Sequence, residues 1–142
     1  MSLLALTAFA AAATASVPVH SVALDHRGGT YKVDYRAAVE TRARTIGMSA
    51  GTRPSTQRCI MTATVSVDRI IADGGHELHA RVPGEKTFTR NLPGDCRGRA
   101  EQLTALVEDR QPAIGAHLAA AAASDRQHAL AAIDAAHNLA SN

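Results

Sequence analysis

Tyr31-Lys32-Val33-Asp34-Tyr35-Arg36-Ala37-Ala38-Val39-Glu40-Thr41-Arg42-Ala43-Arg44-Thr45 is the stretch on which the reading of the fold turns. Its side chains alternate with little interruption. Tyr31, Val33, Tyr35, Ala37, Val39, Thr41 and Ala43 fall on one face, and Lys32, Asp34, Arg36, Glu40, Arg42 and Arg44 on the other. A period of two is the mark of a strand buried on one side and solvated on the other. A strand of this kind needs a partner with the same pattern.

The partner lies downstream. Residues 57–71 place Cys59, Met61, Ala63, Val65 and Val67 on one face against Arg58, Thr62, Thr64, Ser66 and Asp68 on the other. Asp73-Gly74-Gly75 tolerates the positive φ of a tight turn and leads into a third run, residues 76–82, where Leu78, Ala80 and Val82 alternate with Glu77, His79 and Arg81. Pro83-Gly84-Glu85 reads as another turn, followed by a short strand over residues 86–92. Upstream, residues 21–26 add a strand that turns at Gly28-Gly29. The first part is therefore expected to be an antiparallel meander of four or five strands.

Its apolar face needs a cover, and the last third supplies one. Residues 97–110 show helical spacing in Ala100, Leu103, Leu106 and Val107, with Asp95 in the capping region. Pro112 fits the first turn of a second helix carrying Ile114, Leu118, Ala121, Ala122, Ala129, Ile133 and Ala136. Strands first and helices afterwards predict an α+β domain: a meander over about residues 20–92, covered on one face by two C-terminal helices over about 97–140.

The amino terminus reads as an address. Residues 1–15 carry no charged side chain and pass from Leu3, Leu4, Leu6 and Phe9 into the small run Ala10-Ala11-Ala12-Ala13-Thr14-Ala15. This is the apolar region and small-x-small context of a secretory signal, and it is shorter than the roughly 20 residues a membrane-spanning helix needs. Cleavage after Ala15 leaves residues 16–142 as one domain, periplasmic or secreted, with no stable membrane anchor. The competing reading is an Ala-rich first helix. Two cysteines in a small exported domain are expected to pair, and Cys59 with Cys96 is the one intramolecular possibility. The loop so closed is worth roughly 3–4 kcal/mol in the chain-entropy description.

Charge and composition restrict function. Fifteen basic against 13 acidic residues give a net charge of +2, too balanced for a dedicated polyanion binder. Few aromatics remain to stack bases or sugars, so no nucleic-acid partner is expected. Seven histidines invite a metal, yet their spacing opposes it. His76 and His79 project to opposite faces of a strand, and His117 and His128 lie roughly 16 Å apart along a helix. Asp125 with His128, and Asp134 with His137, share an Asp-x-x-His spacing that joins side chains on one side of a helix, half of a hydrolytic constellation. No nucleophile motif accompanies them, and ion pairing on a helix surface explains the spacing as well. No catalytic residue, metal ligand or cofactor is assigned.

Residues 47–56, rich in hydroxyls and glycine, form a loop too long for a minimal hairpin. Arg53 at its centre, with Arg42, Arg44 and Arg58 nearby, gives a candidate anion-binding set of guanidinium forks. The expectation is a non-enzymatic interaction or ligand-binding module of the cell envelope, meeting an envelope protein or a small anionic ligand. The alternatives are a small hydrolase built on an Asp-His pair and a histidine-based metal module.

Overall fold

The computed structural model describes residues 17–141. The proposed signal segment, residues 1–15, and the expected mature start at Ser16 lie outside the described residues.

Four antiparallel strands form one sheet in chain order: β1 (Val19–His26), β2 (Gly29–Ile46), β3 (Arg58–Asp73) and β4 (His76–Pro93). Two helices follow, α1 (Ala100–Asp109) and α2 (Gln111–Ala140). Both pack on the same face of the sheet, giving the α+β arrangement that the pattern predicts. Two-residue turns close the outer hairpins. Arg27 and Gly28, both at positive φ, join β1 to β2, one residue earlier than the expected Gly28-Gly29, and Gly74-Gly75 joins β3 to β4. Positive φ at both central positions gives the backbone twist that matches paired strands.

The alternation of the sequence becomes the inside and outside of the sheet. Val33, Tyr35 and Ala37 of β2 and Cys59, Met61, Ala63, Val65 and Val67 of β3 are buried. α2 lies over the half of the sheet that includes β1, burying Ile114, Leu118, Ala129 and Ile133 against Leu24, Val33, Tyr35 and Ile71. Its Ala121 and Ala122 let the helix axis approach the strands closely. α1 covers the other half, where Leu106 packs with Met61 and Ala63. The Cys59–Cys96 disulfide, with Cα atoms 4.9 Å apart, ties the segment before α1 to β3.

Three expectations need correction. Pro83-Gly84-Glu85 does not separate two strands, because β4 runs through it. Val67 pairs with Val82 and Val65 with Lys86, so three residues stand opposite Ser66 as a bulge, with Gly84 at φ +100°. Proline is tolerated there because β4 is an edge strand and the missing N–H breaks no ladder. The first helix begins at Ala100 rather than Arg97, since Gly98 at φ +67° interrupts it, and Asp95 caps nothing but lies 3.8 Å from Arg97. The apolar face of β2 is buried only as far as Ala37 and half-buried at Val39; Thr41 and Ala43 are exposed, because α1 packs chiefly over β3 and leaves the far half of β2 uncovered.

Candidate functional site

β1 is much shorter than β2, and the mismatch leaves an open edge. β1 pairs with β2 from Gly29 to Arg36, and the last bond of that ladder is donated by the Ala37 N–H to the Pro18 carbonyl. Backbone groups of an antiparallel strand point alternately to its two neighbours. Since Ala37 points toward β1, so do Val39, Thr41, Ala43 and Thr45, whose outward N–H and C=O groups have no strand partner among the described residues. The other sheet edge is guarded differently. β4 carries the Pro83–Gly84 bulge and the charged Glu77, Lys86 and Arg81, features that discourage pairing with another chain.

A groove of about 470 Å³ runs beside the open edge. Ala37, Val39 and Thr41 form its floor, and Ala100, Leu103 and Val107 of α1 its wall. Val17 and Pro18 close the end nearer β1. The lining is mainly apolar, holds no histidine or carboxylate, and offers no group for acid-base chemistry. A strand laid against β2 here would make main-chain bonds at the edge and drop every second side chain into the groove.

Arg42, Arg44 and Arg58 all lie on the solvent face at the end of the sheet that carries the 47–57 connection, Arg44 diagonal to Arg58 across the β2–β3 ladder. The Arg42 guanidinium is engaged by Glu40 at 3.1 Å. Arg44, Arg53 and Arg58 make no ion pair among the described residues. On the paired half of β2 the charges are already balanced. Asp34 accepts from the Ser21 hydroxyl and faces Lys32 at 3.3 Å and Arg36 at 3.9 Å; that hydroxyl first, then Lys32 and Arg36, hold its carboxyl below the usual range. The connection itself is an ordered extension of the hairpin. The Thr56 N–H donates to Met48 O, the Met48 N–H to Thr56 Oγ1, and a side chain at Gly47 would collide with the Thr56 backbone.

The two Asp-x-x-His pairs are used differently, the first meeting as its spacing suggests and the second not. Asp125 is not a surface group: it is 4% exposed and accepts bonds from Arg69 Nη1 at 2.8 Å and the Tyr35 hydroxyl at 3.1 Å. His128 Nδ1 stands 3.8 Å from it on the exposed side. Asp134 turns away from His137 to meet His26 and Arg27 at the β1–β2 turn, while His137 meets the Tyr31 hydroxyl. These groups lock α2 to the sheet. No group of three His, Cys, Asp or Glu side chains among the described residues is arranged to hold a metal ion. No helix among them is long and apolar enough to cross a membrane.

The open edge and groove were not singled out from the sequence, although their cause was visible in it: a first strand of about six residues beside a second of about fifteen. No protein-family model, no curated protein and no solved structure matches this chain.

Proposed function

We propose that this protein is a non-enzymatic binding module of the cell envelope that docks an extended polypeptide segment along the open half of β2. The observation that carries the reading is the coincidence of main-chain groups at Val39, Thr41 and Ala43 that have no strand partner among the described residues with an apolar groove beside them. Strand addition needs both: the edge supplies affinity through main-chain bonds, and the groove supplies selectivity through alternate side chains. Export accords with the Cys59–Cys96 disulfide and with the leader-like residues 1–15. Intact mass of protein recovered from the periplasm or medium, expected to begin near Ser16, tests the compartment; unprocessed chain recovered mainly from the cytoplasm would reject it.

The docking is tested by Thr41→Pro. The Thr41 N–H points outward, so proline removes a donor that no described strand uses while blocking an incoming one. Heptapeptides selected from a displayed random library on the wild-type protein are expected to lose binding to Thr41→Pro. Peptides that bind both proteins equally would place their site elsewhere and overturn the reading.

A further inference from the structure

We infer that the segment taken up by the β2 edge alternates acidic with small or apolar residues, its carboxylates over Arg42 and Arg44 and its apolar side chains over Val39 and Thr41. The inference rests on the docking role proposed above and specifies the chemistry of the partner.

The pleat sets the alternation. An added strand shares the faces of β2, so every second residue sits on the face of Val39 and Thr41 in the groove and of Ala43 beyond it, and the residues between sit beside Glu40, Arg42 and Arg44 on the solvent face. Directly opposed charges of opposite sign favour a strand pair, and like charges oppose it. The solvent face of this edge is unevenly charged. Glu40, toward the middle of the sheet, is joined to Arg42, and Glu85 lines the shallow depression beside them together with Thr64 and Thr87. Toward the 47–57 connection stand Arg44 and Arg58, neither of them in an ion pair among the described residues. A carboxylate opposite Arg44 would supply what this end of the sheet lacks, and one opposite Arg42 would share a guanidinium already joined to Glu40.

Two other occupants fit less well. A second copy must pair β2 with β2 about a two-fold axis, joining outward-pointing odd residues to odd residues. An axis at Arg42 sets Arg42 against its own copy, and an axis at Ala43 sets Arg42 against Arg44. An axis at Thr41 does place Glu40 opposite Arg42, but it also puts Thr45 opposite the partner's Ala37, whose N–H is already bonded to Pro18. The chain's own residues 1–16 contain no acidic side chain to meet the arginines.

The test uses two fluorescein-labelled heptapeptides, one alternating Val and Asp, the other Val and Lys, titrated into the purified protein by fluorescence anisotropy. The Asp peptide is expected to bind about tenfold tighter than the Lys peptide, in line with two exposed charge pairs. The preference should shrink in 1 M NaCl and reverse in the Arg42→Glu, Arg44→Glu double variant. Thr41→Pro should abolish binding of both, with circular dichroism confirming that each variant is folded. Equal affinity for the two peptides, with binding still lost in Thr41→Pro, would overturn the charge rule and leave the docking site standing. Binding of neither peptide, or binding indifferent to Thr41→Pro, would overturn both. A dimer in solution that Thr41→Pro dissolves would identify a second copy as the occupant and also overturn the inference.

Discussion

Replacing Asp125 by Ala removes the acceptor at the centre of a buried polar group. Its Oδ2 takes bonds from both Arg69 Nη1 and the Tyr35 hydroxyl, and the side chains of Arg69 and Asp125 are only 9% and 3% exposed. The Arg69 Nε is already buried without a hydrogen-bond partner among the described residues, so the guanidinium left behind has little with which to offset its lost solvation. Breaking a buried ion pair from one side costs about 3–5 kcal/mol, because the surviving charge stays buried and uncompensated. Small domains hold about 5–15 kcal/mol in all, so the variant should lose a large share of its stability and melt on the order of 10–20 °C lower. The pair itself is worth far less than that, since both ions had to be desolvated to form it. Arg69→Met combined with Asp125→Leu should therefore cost clearly less than Asp125→Ala alone. Urea unfolding followed by far-UV circular dichroism measures all three proteins, a probe suited to a chain without tryptophan. A loss below about 1 kcal/mol for Asp125→Ala, or a double variant no more stable than Asp125→Ala, would show that the pair is hydrated or optional.

Reducing the Cys59–Cys96 disulfide opens a loop of 37 residues, and the chain-entropy relation gives a loss of about 4 kcal/mol; urea midpoints of the oxidised and reduced protein should differ accordingly, and equal midpoints would reject the staple. The Tyr35 hydroxyl is pushed up to about 12, first by burial and then by the adjacent Asp125 charge, so the unfolded chain releases this proton at lower pH than the folded one. Stability should accordingly fall as pH rises from about 10 to about 12, and the fall should be shallower in Tyr35→Phe when melting temperatures are compared across that window. The Asp134 carboxyl is held below its usual range by the His26 bond first and Arg27 next, so its contribution is present above the unfolded carboxylate range and is lost as pH falls through the folded value. Asp134→Asn should melt below wild type near neutral pH and match it in strong acid.

The two-layer fold was legible because one rule, burial of one strand face, operates over long runs. Odd-numbered residues from Tyr31 to Ala37 and from Cys59 to Val67 face inward without exception, and no tertiary contact needed to be known in advance. Where the same local chemistry serves two purposes, the sequence is ambiguous. Pro-Gly starts a turn in an isolated hairpin and equally makes a bulge in an edge strand; only the continuing register beyond Ser66 decides between them. Asp-x-x-His spacing is ambiguous for a related reason, since it measures neighbours along the helix, which holds for Asp125 and His128 at 3.8 Å and not for Asp134 and His137, and it ignores what the sheet offers from below. A better signal was present. Arg69 falls on the inward parity of β3 between Val67 and Ile71, and Asp125 falls on the apolar stripe of α2 between Ala122 and Ala129. Two opposite charges, each intruding on a core face, have to meet each other there.

The groove exists because its wall is fixed where it cannot close. At the start of α1, the disulfide and the Cys96 N–H bond to Thr45 Oγ1 hold the preceding segment on β2 and β3, and Arg99 reaches the Pro93 carbonyl. At its end, Arg90 pairs with Asp109, and the Arg110 guanidinium lies 5.5 Å from the centre of the Phe88 ring. Every one of these ties except the Thr45 bond runs to β3, β4 or the segment beyond it. α1 is thereby held over that side of the sheet, with Leu106 packed in one cluster with Met61 and Ala63, and it is kept from sliding across to bury Val39 and Thr41. A helix free to shift would cover that apolar strip and gain by doing so. A tethered one leaves the strip open beside backbone groups with no strand partner among the described residues, so the segment proposed to dock there would meet a site with little left to order.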